Sequence, residues 1–335
     1  MEPLTDSAWN DLLCDIQTPE QWAAHRKVLH ARYLELIRDA AKPERVPLDL
    51  KIEKEWQVES LYRLQLISYQ VEVDERAYAW LGIPSGLSAS VPGVVALHET
   101  RPQGGRETSG MEGPSDKAFL DHLVRRGFVV IAPEHFVSGH RIPAEGAYET
   151  AAFYARHPEW TAVGKFTFEH RIAVDILSTL PEVDPQRLGV MGHSLGGHGA
   201  YFLAAYDERI RAAVCNCGAH TFRLNPGIES WARDHWYVYF KHLREDILNG
   251  KLPPIDMHEI IALIAPRAFM DVFAWNDGPV ATQYQRIFMS QKLCALYSLL
   301  GHPENYAFFV HGKGHSVPKE SQDLIYRFLA EHLEE

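Results

Sequence analysis

The stretch RLGVMGHSLGGHGAYFL, residues 187–203, constrains the fold more than any other. An apolar run from Leu188 to Met191 ends at a glycine, and an Ala/Tyr/Phe/Leu pattern of helical spacing follows at once. Between them lies Gly192-His193-Ser194-Leu195-Gly196, a G-x-S-x-G. A serine hydroxyl is a weak nucleophile that needs a neighbouring base and must protrude toward its target. A tight strand-to-helix turn makes it protrude but strains the serine backbone, and side chains on its neighbours would clash, so glycines flank it. The following helix then points its N-terminus at the reacting oxygen, where negative charge develops. The pair Gly196-Gly197 lets that helix approach the sheet.

The base is expected in the loop after the last strand. NYAFFVHGKGHSVP offers His311, at the strand end, and His315, four residues on in a glycine-rich loop that can carry it over the sheet edge. His315 is the choice. An acid should hold its imidazole in one tautomer. RAFMDVFAWNDGPV ends in a turn that presents Asp277, whereas Asp271 lies mid-strand. The oxyanion donors expected are the N–H of Leu195 and an N–H from Glu99 or Thr100, in the loop after the run GVVALH. His98, Glu134, His193, Trp231 and Trp236 are candidates for the pocket wall.

The 335 residues are 46% hydrophobic and 23% charged, which fits a soluble globular domain with a substantial core. Lys and Arg number 33 against 44 Asp and Glu, a formal charge of −11, and no basic patch stands out; neither nucleic acid nor a membrane is an expected partner. The N-terminus lacks the basic and apolar regions of a signal peptide, and no apolar run is long enough to span a bilayer. Four cysteines are too few for a disulfide scaffold, so reduced thiols and a cytoplasmic location are expected. His258-Glu259 begins like a zinc-protease motif but lacks the second histidine, and GMEGPSD lacks the ending of a phosphate loop; no metal site and no cofactor are expected.

Residues 1–60 read as an N-terminal helical extension, on the helical spacing in QWAAHRKVLHARYLELIRDA. Residues 61–335 read as one α/β domain. It opens with a hairpin, LISYQVEV and RAYAWLGIP, and then alternates strands and helices, which implies a mostly parallel sheet with helices on both faces and an antiparallel edge. Two connections exceed the usual loop length, 136–166 and 219–266. Both are expected to cap the strand ends where ligands bind, and so to favour a small or medium substrate.

These residues together resemble the α/β-hydrolase superfamily, and within it the dienelactone-hydrolase-like and acetyl-xylan-esterase-like bacterial serine hydrolases. The stretches LPEVDPQRLGVMGHSLGGHGA and PPIDMHEIIALIAPRAF carry the closer likeness, with a W…R…L pattern in the N-terminal helix. The order Ser194, Asp277, His315 is that of the superfamily. The resemblance implies hydrolysis of carboxylic esters without a cofactor. It departs in one place: many relatives have His-Gly where this chain has His98-Glu99, which sets a carboxylate near the oxyanion unless Arg101 or Arg106 neutralises it. Two other readings stay open at this point, a peptidase of prolyl-oligopeptidase type and a ligand-binding protein with a silent site. The oligomeric state is open too, a homo-oligomer included.

Overall fold

The computed structural model describes residues 12–334 except 224, 226 and 279, and for 280–282 the backbone alone. Nine strands form one sheet: β1 (Lys51–Val58), β2 (Tyr62–Glu72), β3 (Glu75–Pro84), β4 (Val91–Leu97), β5 (Val129–Pro133), β6 (Val183–His193), β7 (Ile210–Asn216), β8 (Ala268–Ala274) and β9 (Tyr306–His311). Their order is β1-β2-β3-β5-β4-β6-β7-β8-β9. The first three strands are antiparallel, β3 joins β5 antiparallel, and every later pairing is parallel. This is the α/β-hydrolase fold, with helices on both faces.

Alternation along the strands separates two cores. Val95, Val190, Ala213 and Phe269 face the helices Ala162–Thr179 and Leu195–Tyr206. Val94, Met191, Val214 and Met270 face the helices Phe119–Val124 and Lys319–Leu333. Strands β4, β5, β7 and β8 are buried on nearly every residue because both of their faces are covered.

Of the stretch read as a helical extension, the first eleven residues lie outside the described ones. Helix Pro19–Leu36 follows, started by Thr18 and Gln21, which cap each other's backbone N–H groups. It is fastened to the main body: Tyr33 donates its hydroxyl to the Phe202 carbonyl at 2.8 Å, and Arg26 donates to that of Leu263 at 2.9 Å. Residues 51–58 are not part of a helical arm but the edge strand β1. Its sequence KIEKEWQV hides this, because an edge strand exposed on nearly every residue has no apolar face to alternate.

The two excursions pack on each other. Tyr154 donates to the Val238 carbonyl at 2.9 Å, Thr150 to that of Trp236 at 2.7 Å, and the Tyr237 hydroxyl lies 2.8 Å from His135 Nε2. Among the described residues, no helix is long and apolar enough to cross a membrane.

The parallel registers bring the strand ends level: Leu97 pairs with Gly192, His193 with Asn216, and Ala274 with His311. Glu99, Ser194, Asp277 and His315 all leave this common edge within a few residues of those pairs.

Candidate active site

Ser194 links β6 to the helix Leu195–Tyr206 with φ +57° and ψ −117°, a conformation that L-residues avoid. The turn closes because its neighbours are glycines. A Cβ on Gly192 would come within 2.1 Å of the Gly196 carbonyl oxygen, and one on Gly196 within 2.2 Å of that of Leu97. The spacing of the motif is therefore a backbone contact requirement. The Ser194 N–H donates to the Asn216 carbonyl at 2.9 Å, which holds the strained residue against β7. Ser194 is partly exposed at the N-terminus of its helix.

Asp277 leaves the end of β8 and His315 the loop after β9, and they meet: His315 Nδ1 lies 2.7 Å from Asp277 Oδ2. The acceptor puts a proton on Nδ1, so Nε2 is the nitrogen left to receive one from a hydroxyl. Burial pushes the Asp277 carboxyl up, but the bond and charge of His315, with Arg286 beyond, outweigh it and keep the carboxyl below its usual range. His315 is 40% exposed, so the site opens to solvent on that side. His193, one residue before the serine, sets its ring 4.5 Å from the ring of His315. The other candidates stand apart. His311 accepts from the Lys313 N–H at 3.2 Å inside its own turn. Asp271 is fully buried, and burial pushes its carboxyl up to about 7.

The loop after β4 is tightly held. His98 Nε2 accepts from the His135 N–H at 3.0 Å, so its Nδ1 carries the proton and donates to the Glu99 carbonyl at 2.7 Å. The Tyr148 hydroxyl accepts from the Arg101 N–H at 2.9 Å and has the Arg101 and Glu99 carbonyls within reach of its proton, at 3.0 and 3.2 Å. In a trans peptide the Thr100 N–H points opposite to the Glu99 carbonyl. That N–H has no partner among the described hydrogen bonds, and Thr100 is partly exposed.

The Glu99 side chain is neutralised. It pairs with buried Lys117 and accepts from Arg101 Nε at 2.8 Å. Burial pushes its pKa up, but those two cations and His193 overcome this and hold it at about 2. Its Oε2 lies 3.5 Å from His193 Nε2. Glu107 stands behind, 1% exposed and 3.7 Å from Arg101 Nε; burial and the charge of Glu99 push it up to about 7.

The remaining pocket-wall candidates fall in different places. Trp231 is buried against His198 and Tyr239, at ring separations of 4.9 and 4.7 Å. His198 lies one helical turn beyond Ser194. Trp236 is half exposed and donates to the Ala147 carbonyl at 3.2 Å. It lines a cleft of about 390 Å³ with Tyr154, Arg233 and Lys241, to which none of Ser194, Asp277 and His315 contributes. Glu134 is buried and accepts from the His140 N–H at 2.8 Å, closing the base of the first excursion. His98, as above, is a brace for the loop.

Ligand atoms of Glu99, His193 and His315 lie within 4.8 Å of one another, a spacing that could hold a metal ion. Their competing partners are strong: two cations on Glu99, Asn216 on His193, and Asp277 on His315. Glu259 of the aborted zinc motif caps its own helix, accepting from the Asp256 N–H at 2.7 Å. Sequence reasoning missed Lys117, Tyr148 and Asn216. Each acts across the fold from an ordinary context, and no local spacing marks it.

The family model of the dienelactone hydrolase family matches residues 78–246, half of the chain. The "Putative hydrolase YtaP" of Bacillus subtilis (strain 168) is 26% identical over 77% of this chain and 84% of its own length. Carbohydrate esterase MZ0003, from an unknown prokaryotic organism, is 27% identical over 43% of this chain and 34% of its own length. A glucuronoyl esterase from Solibacter usitatus has a similar fold, with a TM-score of 0.71 over 93% of both chains at 15% identity. With the family model spanning half of its length, the chain belongs to the dienelactone hydrolase family.

Proposed function

We propose that this hydrolase cleaves carboxylic esters of small or medium substrates through an acyl-enzyme on Ser194. The observation that carries the reading is the 2.7 Å contact between His315 Nδ1 and Asp277 at the sheet edge where Ser194 is held at φ +57°. His315 Nε2 takes the proton of Ser194 as its oxygen attacks the acyl carbon. The Leu195 and Thr100 N–H groups hold the oxyanion. His315 then protonates the leaving alcohol and activates the water that frees the acid. Asp277 keeps the imidazole in one tautomer and stabilises its charged form. The Glu99 carboxylate, paired with Lys117 and Arg101, does not oppose the oxyanion as a bare charge would. These steps use only groups of the chain. The carbohydrate-ester activity in the name of MZ0003 supports esters of sugars among the substrates.

A fluorophosphonate probe should label the wild type and not Ser194→Ala. Asp277→Asn should lower kcat by about 10⁴-fold, because the wrong tautomer then faces the serine. Aryl esters of increasing acyl length, assayed beside peptide amides, should show turnover of the esters alone. Absence of labelling in the wild type contradicts the reading.

A further inference from the structure

His315 stands on a loop whose backbone is tied down on either side of it: the Gly314 N–H donates to Asn276 Oδ1 at 2.8 Å, and the Ser316 hydroxyl donates to the Lys313 carbonyl at 2.8 Å, while the ring itself has few contacts. Gly312 and Gly314 flank Lys313 just before it, Gly314 at φ +66°, and the imidazole is 40% exposed. Asp277 fixes one edge of the ring. The ring of His193 lies against its face at 4.5 Å, tilted by 45°. His193 is fully buried and is fixed at one ring nitrogen. The Asn216 amide nitrogen lies 2.7 Å from His193 Nδ1 and donates at 3.2 Å to the carbonyl of Ser316, the neighbour of His315. That amide ties the two histidine segments to each other. Since Nδ1 accepts, the His193 proton sits on Nε2, which faces Glu99 Oε2 at 3.5 Å. Lys117 and Arg101 hold Glu99 in turn. We propose that His193, seated by Asn216 and backed by the Glu99–Lys117 pair, is a positioning residue that holds the imidazole of His315 over Ser194.

The arrangement suits the task. A charged ring beside His315 would repel the imidazolium that forms during attack, whereas burial, and then the charge of His315, keep the His193 pKa down at about 3. Polar groups approach His315 from every side. Asp277 and Cys217 lie close. His198 and His220 feel its charge from below, and Arg286 stands by Asp277. Glu107 lies behind Arg101, Asp116 accepts from the Val317 N–H at 3.4 Å, and Lys313 of the same loop pairs with Glu320. His311 precedes that loop and feels the charge of Asp277. Behind His193, Glu99 and Lys117 are opposite buried charges in one pair, with Arg101 also on Glu99, so removing Glu99 or Lys117 changes the local charge by one unit in opposite senses.

This inference rests on the proposed ester hydrolysis, and its test separates the two. His193→Ala should lower kcat about 10- to 100-fold with KM changed by less than about threefold, as expected for a reacting group displaced by an ångström or so. His193→Phe, which restores a ring wall, should recover most of that loss. Glu99→Gln leaves Lys117 uncompensated, disfavours the imidazolium and moves the acid limb of kcat/KM to lower pH. Lys117→Met removes one of the two cations on Glu99, leaving Arg101, and moves the limb to higher pH. Each shift should be about 0.5 unit or more, and the double variant should return toward the wild type. A packing role alone would not give opposite signs. An NMR titration of the His315 ring in the same variants reads these shifts without turnover. The inference therefore stands or falls even if no ester is hydrolysed, an outcome that would overturn only the proposed function. It is overturned if His193→Ala keeps kcat within twofold of wild type, or if the two charge variants move the His315 titration in the same direction or not at all.

Discussion

Two buried ionic clusters sit within this fold, made of the same ingredients and arranged to opposite ends. The first fastens the excursion 136–166 to the hairpin of β2 and β3. Lys165, 1% exposed, meets Glu72, Glu75 and Glu169, while Arg141 bonds Glu75 and Glu169 and Arg156 adds a bond to Glu72. Three cations face three carboxylates. Burial pushes Glu169 up, but Arg141 and Lys165 overcome this and hold it at about 2. The second cluster, at the active-site edge, joins Lys117 and Arg101 to Glu99, with Glu107 behind. There one carboxylate is pushed down to about 2 and the other up to about 7. The first cluster is a clamp with every charge matched. The second also has two cations for two carboxylates, but both cations bond Glu99, and Glu107, more distant from Arg101, keeps a proton near neutrality beside the candidate site.

The difference predicts opposite pH slopes. Glu169 has a folded pKa below the unfolded value of about 4.3, so its contribution is present above that pH and is lost as pH falls toward 2. Glu107 has a folded pKa above its unfolded value. Its contribution is complete below about 4.3 and is lost as pH rises through 7.

The sharpest way to break the comparison is Lys165→Met. It leaves three carboxylates to share two arginines, with the deeply buried cation gone, and should cost about 3–5 kcal/mol in chemical denaturation, with kcat of the folded fraction within about twofold. Should it cost less than about 1 kcal/mol, the clamp is not one. Glu107→Gln comes next. At pH 8 it should be more stable than the wild type by about 1–3 kcal/mol, and at pH 4 nearly equal, when melting is followed across that range. An unchanged difference at both pH values contradicts the leftover proton. The smallest effect is expected from Arg101→Ala. Its guanidinium is 47% exposed, so the stability change should stay within about 1 kcal/mol, Lys117 remaining to balance Glu99.

What could be read in the chain follows from which interactions are local. Gly192 is required by the Gly196 carbonyl within the same five residues, a local demand that the spacing displays, whereas Gly196 is required by the Leu97 carbonyl of β4. Asp277 and His315 follow apolar strand runs by a few residues, and a parallel sheet brings such strand ends to one edge. Their 2.7 Å contact then needs no further signal. Of the charge balance around Glu99, Arg101 is legible in the sequence two residues on, and Lys117 is not. Lys117 stands in the ordinary segment SDKAFLDH, and its pairing depends on how the loop after β4 folds back. Asn216 and Tyr148 likewise act through tertiary contacts that leave no periodic trace. Composition also misleads about the aromatics of 219–266. Trp231 looks like a pocket wall in sequence, yet it is 3% exposed and packs on His198 and Phe222. Strand β1 was hidden for the reverse reason, its charged residues guarding a free sheet edge.

The most direct test is to catch the covalent intermediate. The enzyme is mixed with an aryl ester, quenched in acid within a few turnovers, and its intact mass and peptides are read by mass spectrometry. The account predicts a single acyl adduct on the peptide containing Ser194, accumulating in His315→Ala only far more slowly than in the wild type. Ester turnover with no adduct, or with the acyl group on another residue, would contradict it.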